Sequence, residues 1–513
     1  MQDTKARIFI FFLFIFFIIP AKLFCQPKIQ WQKCIGGSPT NMLISFIQTS
    51  DGGYAGAGAI DGPNAWIVKL NKSGGIQWQR VINNPIFSQF NSIIQTSDGG
   101  YLAAGQGFTP CSIGNKGGRD AWIVKFDSLG KQQWEKCIGG TDYDGAQSII
   151  QIPDGEYIFV GYTNSHDGDV KVDYTESWIV KLDSVGNIKW QGSLGNINIS
   201  TIQANSIILT EDGGYAIAGS NTVYGQKSGD CCVAKLSSKD SVEWIKTFGG
   251  TGNDVVNSIA QTFEGNYVIA GYTESNDGDV SGNHGGRDVW IVKLNSFGNI
   301  VWQKCFGGTD VDEAFSIISI SNEGYAATGI THSSDGNVLG YHGGYDEWLI
   351  KIDTAGLLEW QKCLGGSSVD EGIVVVQSSD GGYVTAGYTM SSDGDVIGYI
   401  PTPDQPIDAW VVKLSAPSIV IEQKTSSQNL SLSTYPNPTA NTITLAFDLP
   451  SASPVSITIY NITGERMKDI REAEDASGHH EMQIDLGGYP AGAYFISVSA
   501  CGVRERRMVQ VVK

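Results

Sequence analysis

The sequence predicts an all-β protein: a seven-bladed β-propeller of four-stranded blades, followed by a small immunoglobulin-like β-sandwich. Three recurring markers predict the propeller. An aromatic-aliphatic run ending in Lys, as in Trp66-Ile-Val-Lys, recurs from Trp122, Trp178, Trp290, Trp348 and Trp410, with Cys232 filling the one gap. A second Trp stands at 31, 78, 134, 190, 244, 302 and 360, and these two markers account for all 13 Trp. A Tyr follows a Gly-rich or acidic turn at 54, 101, 157, 215, 267, 325 and 383. The first marker advances by 56, 56, 54, 58, 58 and 62 residues. A fixed period of this size is the signature of a repeat architecture.

Taken in chain order, Lys5 and Arg7 precede an apolar run from Ile8 to Ile19 and then Pro20. A basic start and a short apolar run describe a secretory signal peptide over 1–25. The run is shorter than the ~20 residues that a spanning helix needs, so no membrane span is expected. Cys25 leaves a lipoprotein reading open beside ordinary cleavage before Gln26, although Phe24 is bulky for a lipidation site. The propeller is expected over 26–414. Within a unit, Asn91–Thr96 reads as the first strand and Asp98-Gly99-Gly100 as a hairpin turn that accepts positive φ. Tyr101–Gly105 returns, Ala121–Phe126 is the third strand, and Gln133–Lys136 is the fourth. In all six complete units the first marker residue and the next Trp lie twelve apart, which predicts a register-locked hairpin with the two bulky residues near each other across the ladder.

The ends of the repeat array discriminate between a propeller and a solenoid. The array begins with a fourth strand alone, around Trp31, and ends with three strands finishing at Leu414. Together they complete a seventh blade and close the ring with the N-terminal strand. A solenoid would need distinct caps instead. Each Trp buries about 150–250 Å², worth roughly 4–6 kcal/mol gross at about 25 cal/mol per Å², and is expected to join neighbouring blades. Cys34, Cys137, Cys305 and Cys363 share one slot in separate repeats. They read as small buried apolar residues rather than a disulfide framework. The Ser-, Gln- and Thr-rich stretch 415–432 is a linker, and 433–513 alternates like a β-sandwich.

Composition narrows function. Gly is 64 of 513 residues against a usual share of about 7%, and 34 basic against 53 acidic residues give a net charge of −19. A phosphate backbone would be repelled, so nucleic acid is not expected as a partner.

Asp120-Ala-Trp-Ile-Val-Lys, Gly139-Gly140-Thr-Asp and Gly161-Tyr-Thr-Asn-Ser resemble bacterial β-propeller repeats of the seven-bladed type. That resemblance implies the fold more firmly than any activity. Tyr435-Pro436-Asn437-Pro438, the Ile459–Gly464 segment, Gly492 and Tyr494 resemble a type A sorting domain of the type IX secretion system. The resemblance implies passage across the outer membrane by the type IX secretion machinery, with removal of the domain by its surface transpeptidase. Tyr435, Pro436, Asn437, Pro438, Gly464, Gly492 and Tyr494 carry the match. The hairpin Lys293–Trp302 also resembles repeats of pyrroloquinoline-quinone dehydrogenases. Adjacent Cys231 and Cys232 would then parallel a vicinal disulfide near that cofactor, whereas Cys232 in a Trp slot argues for strand packing.

Candidate chemistry lies in the loops between second and third strands. Asp167 and Asp169, Asp277 and Asp279, Asp335 and Asn337, and Asp393 and Asp395 are paired around a Gly, and Asp288 and Asp346 open the strands that follow. Oxygens at this spacing suit calcium, a hard cation, with Asp277 and Asp279 as its ligands. They equally suit polar turns in which Asp caps backbone N–H groups. Equivalent loops emerge on one rim, which is the expected binding face, with His284 and His342 in matching positions. No nucleophile elbow, His-Glu-x-x-His helix or phosphate loop is present. The expectation is an exported surface or extracellular binding or adhesion module, not an enzyme, for a glycan or a surface protein. An extracellular polysaccharide-active enzyme, hydrolase or lyase, is the alternative.

Overall fold

A computed structural model describes residues 26–36, 40–83, 86–108, 116–172, 177–194, 201–222, 229–321, 323–399, 407–417, 432–449, 452–461, 466–500 and 503–513. The predicted signal peptide, most of the linker, and Gly464, Cys111 and Cys501 lie outside these residues. The chain divides into two compact units, one spanning Phe24–Ser418 and the other including Ile419–Lys513.

The first unit is a β-propeller of seven four-stranded antiparallel sheets. Six are built from consecutive strands. The second sheet, for example, runs Ser88–Gln95, Tyr101–Gly107, Asp120–Phe126 and Gln132–Ile138. The seventh combines Asp370–Gln377, Tyr383–Thr389 and Asp408–Leu414 with the N-terminal strand Ile29–Ile35, which pairs Trp31 with Lys413 and Cys34 with Trp410. The first strand of each sheet lies against the first strand of the next, and that of the seventh lies against that of the first. First strands therefore line the centre, and fourth strands, such as the largely exposed Ile76–Ile82, form the outer edge.

Apolar cores sit between sheets. Leu102 and Ile123 of the second sheet pack with Ile149, Phe159 and Trp178 of the third. The twelve-residue spacing fixes the outer hairpin but does not bring its two bulky residues together. Trp122 stands opposite Cys137, and Trp134 stands opposite Lys125. Three ladder steps separate the two Trp, and an odd offset turns side chains to opposite faces of a strand pair. Trp122 packs into the core shared with the preceding sheet and Trp134 into the one shared with the following sheet. Fourth-strand Trp residues meet the turn-flanking Tyr of the next sheet, as in Trp78–Tyr101 at 5.5 Å and Trp360–Tyr383 at 5.3 Å between ring centroids.

The shared cysteine slot faces the third-strand Trp, a small side chain beside a large one. Cys34, Cys305 and Cys363 are free thiols, as are the buried Cys231 and Cys232, so the adjacent pair forms no vicinal disulfide. Cys137 departs from the expectation for its slot, being disulfide-bonded. Repeat equivalence predicts backbone position, whereas bonding depends on what a particular loop brings near that position.

The second unit is a two-sheet β-structure. Leu432–Tyr435, Thr442–Leu449 and Gly478–Asp485 form one sheet. Arg466–Asp475, Ser453–Asn461, Gly492–Ala500 and Val503–Val511 form the other, in that spatial order. Ile443, Leu445 and Phe447 from the first meet Ile457, Ile459, Ile496 and Val498 from the second in one core.

Candidate functional site

The predicted loops recur at equivalent positions, and most of their carboxylates accept backbone N–H groups. Asp167, Asp277, Asp335 and Asp393 each accept the N–H of a residue in the preceding Gly-Gly loop, namely Thr141, Thr251, Thr309 and Ser367, all at 2.8 Å. Thr251 and Thr309 add their hydroxyls to the same carboxylates at 3.0 Å. Asp279 and Asn337 accept from Gly249 and Gly307 at 3.4 and 3.2 Å. Asp169 pairs with Lys116 at 2.5 Å. Asp395 contributes its backbone instead, accepting from Gln32 Nε2 at 2.7 Å. The Asp277 oxygens are thus occupied by N–H and O–H donors, which compete with a cation for the same lone pairs. Among the described residues, no group of three or more His, Cys, Asp and Glu side chains is placed to hold a metal ion. In this arrangement the loops act as caps that knit the neighbouring Gly-Gly loops to them.

Asp288 and Asp346 lie deeper, both fully buried. His284 and His342 approach them through Nδ1 at 2.6 and 2.8 Å, so each His stays with its own loop. Burial raises the Asp346 carboxyl to about 6, the His342 bonds oppose the rise, and Asp370 adds to it. In the second sheet Lys116 stands in the place of the His and donates its backbone N–H to Asp120 at 3.2 Å, while burial, with a smaller push from Asp144, raises Asp120 to about 6. A Cβ on Gly139 would stand 2.4 Å from Asp120 Oδ1 and 2.5 Å from Asp144 Oδ2, so only glycine fits between the two carboxyls.

Inside this rim, the first strands create a second set of positions. Each first strand carries a bulge at one place, which leaves Ile44, Asn91, Gln147, Asn205, Asn257, Phe315 and Ile373 without a ladder partner. Bulged residues are re-aimed relative to their neighbours. Asn91, Asn205 and Asn257 donate through Nδ2 to Ala146, Val256 and Ala314 of the next sheet, each at 2.9 Å. The bulge set is polar on sheets two to five and apolar on the other three.

Between the third and fourth sheets these positions open into a cavity of about 370 Å³ lined by Gln147, Gly161, Tyr162, Asn164, Gln203, Ala204 and Asn205. The Tyr162 hydroxyl donates to Gln106 Oε1. The side-chain amides of Gln147, Asn164 and Gln203 make no hydrogen bond to other described residues. Elsewhere in the ring, in the seventh and sixth sheets, burial raises Glu371, which lies beside Tyr388, and pushes the enclosed Glu347 up to about 8. Sequence reasoning placed the site on the Asp loops and passed over these strand positions. Their signal was a polar residue just before the Ser of the first strand, as in Gln147-Ser148.

In the second unit, Asn437 holds the C-terminal strand at two points, donating to Met508 O at 2.8 Å and accepting from Gln510 N at 2.9 Å. Pro436 and Pro438 both follow cis peptide bonds. The Tyr435 hydroxyl donates to Glu481 at 2.8 Å, and that of Tyr494 to Pro490 O at 3.0 Å. Gly492 opens the strand that carries Tyr494.

None of the curated protein sequences matches the chain. Among solved structures, it is similar to PorZ, a surface component of the type IX secretion system of Porphyromonas gingivalis. That likeness has a TM-score of 0.40 at 11% identity over 93% of this chain, and the chain spans 60% of PorZ. It is also similar to a puromycin hydrolase, with a TM-score of 0.42 at 10% identity over 80% of this chain and 59% of the other. An endo-arabinase from Bacteroides thetaiotaomicron matches with a TM-score of 0.27 at 12% identity, over 54% of this chain and 94% of the other. Residues 433–509 match the secretion system C-terminal sorting domain, and this tail marks the chain for export by the type IX secretion system to the cell surface or the extracellular space.

Proposed function

We propose that the propeller is the working part of the exported protein and acts as a glycan-binding module, with the cavity between its third and fourth sheets as the ligand site. The lining carries this reading. Gln147, Asn164 and Gln203 present free amides, each with donors and an acceptor, beside the Tyr162 ring. Amides and a tyrosine match neutral hydroxyls without charge, which is the chemistry of sugar recognition rather than of proton transfer. Glycoside hydrolysis ordinarily uses two carboxylates flanking the bond, and the cavity lining contains none. The type IX secretion machinery and its surface transpeptidase are the partners of the sorting domain in this reading.

One observation favours a polysaccharide-active enzyme as the second reading. Glu371 and Glu347, in the seventh and sixth sheets, are both raised by burial, and perturbed carboxyls mark candidate acids. Glu347, however, is only 1% exposed and touches no solvent-borne polymer as it stands. A glycan array scored for capture and for new reducing ends separates the two readings. Capture without cleavage is expected. Replacing both Gln147 and Gln203 with Ala should weaken it by about 30-fold, two hydrogen bonds of about 1 kcal/mol each. Cleavage that disappears in Glu371→Gln would transfer the function to the carboxylate side.

A further inference from the structure

Two arginines in equivalent positions of the ring differ in their partners. Arg287 precedes the third strand of the fifth sheet and is doubly paired. Its Nε donates to Glu274 at 2.8 Å, its Nη1 to Glu313 at 2.6 Å, and its guanidinium lies 4.6 Å from the Tyr272 ring centroid. Arg119 precedes the third strand of the second sheet in the same position, since Asp120 and Asp288 open the two strands. Both acidic partners are missing there. Phe108 stands where Glu274 stands, directly after the second strand, and Gly145 stands where Glu313 stands, directly after the first residue of the next first strand.

The guanidinium of Arg119 is held by rings instead, 4.8 Å from the centroid of Phe87, 5.0 Å from Phe108 and 5.7 Å from Tyr143. Aromatic faces attract a cation but accept none of its five N–H groups in the way a carboxylate does. Its Nε is buried without a hydrogen-bond partner, and among the described residues Arg119 makes no ion pair.

Its position connects it to the cavity. Gly145 leaves room for the Tyr162 ring, since a Cβ there would stand 2.8 Å from that ring. Tyr162 lines the cavity, donates to Gln106 of the second sheet, and has Arg119 beside its hydroxyl, where the cation opposes the rise caused by burial. Tyr162 therefore joins the amide-lined cavity to the guanidinium of Arg119, which hydrogen-bonds to the Tyr162 side chain and has no carboxylate partner among the described residues.

We infer that the ligand is an acidic glycan whose carboxylate or sulfate group is received by Arg119 while neutral sugar hydroxyls occupy the adjoining amide-lined cavity. This rests on the glycan-binding reading above. A guanidinium that lacks a carboxylate partner can take either oxyanion through its terminal N–H donors.

The test uses the full chain and three immobilised polymers: polygalacturonate, its carboxyl-reduced form, and chondroitin sulfate. Retention of one acidic polymer is expected, with Arg119→Gln weakening it by about tenfold or more, the loss of one charge-assisted contact. Arg119→Lys should recover only part of it, and Arg287→Gln should leave it unchanged. Polygalacturonate retained over chondroitin sulfate would identify a carboxylate, and the reverse a sulfate. Equal retention of the carboxyl-reduced and acidic forms, lost on replacing Gln203 with Ala but not Arg119 with Gln, would overturn the inference and leave the glycan reading standing. Retention of no polymer, by a chain whose near-ultraviolet spectrum is that of a folded protein, would overturn both.

Discussion

At the scale of single residues, the propeller depends on charges that are partnered asymmetrically. Lys125 is the penultimate residue of a third strand and is 2% exposed, while its partner Asp98, 2.8 Å away in the first hairpin, has about half of its side chain in water. The same lock joins Lys69 to Asp51 and Lys413 to Asp380. Burial works to raise the Asp98 carboxyl, but hydrogen bonds from Lys125, Thr96 and Gly100 outweigh it and hold the group at about 2. Removing the acid leaves a buried cation alone, and removing the base leaves an acid that water can solvate. Asp98→Ala is therefore expected to cost about 2–3 kcal/mol, discounted for the exposure of Asp98, and Lys125→Met under about 1 kcal/mol. Urea unfolding of the two variants checks the order, and a larger loss for Lys125→Met would refute it.

At the scale of elements, neighbouring sheets are joined by the hairpins and the outer Trp residues together. Gly130 turns the third–fourth hairpin of the second sheet at φ +74, and a Cβ there would stand 2.7 Å from the Trp78 ring of the preceding sheet. Gly99 turns the first hairpin of the second sheet at φ +79 with nothing within 4 Å of the same position. Both substitutions to Ala incur left-handed backbone strain, about 1 kcal/mol. Only Gly130→Ala adds a clash with a ring, bringing its cost to about 3 kcal/mol. Equal melting temperatures for the two variants would show that the Trp cover is loose. The strands of these elements were legible because period-two alternation and turn residues repeat seven times. The pairing of the two Trp was not legible, because an offset of three along the ladder depends on where the hairpin shifts register.

At the scale of the whole molecule, opposite pKa shifts define a window of stability. Asp51, Asp98, Asp212 and Asp380 fall from 3.8 to about 2 on folding. Their contribution is complete above about pH 4 and is lost as pH falls toward 2. Asp120 and Asp346 rise from 3.8 to about 6. The folded state binds their protons more tightly, so their contribution is complete below 3.8 and lost as pH climbs through 6. The melting temperature of the propeller is expected to peak between about pH 4 and 5 and to fall on both sides. Asp120→Asn, which removes the charge but keeps the acceptor for Lys116 N–H, should flatten the fall on the neutral side. Calorimetry from pH 2 to 8 tests this, and a curve that rises steadily to pH 8 would contradict it.

The sequence by itself determined the all-β class, the number of repeats, the strand taken from the N-terminus and the sorting tail. Each of these depends on local alternation, turn chemistry or spacing along the chain. It also located the Asp loops on one rim, because equivalent positions in a ring share a face. The use of those loops was decided only by tertiary structure. Asp277 meets Thr251 across 26 positions of chain, and that meeting makes it a cap. The cavity and the guanidinium without a carboxylate partner likewise depend on differences between sheets, Gly145 where another has Glu313 and Phe108 where another has Glu274. A repeat pattern records what the units share. A binding site in such a ring arises from the places where one unit differs from the rest, and only folding sets those places side by side.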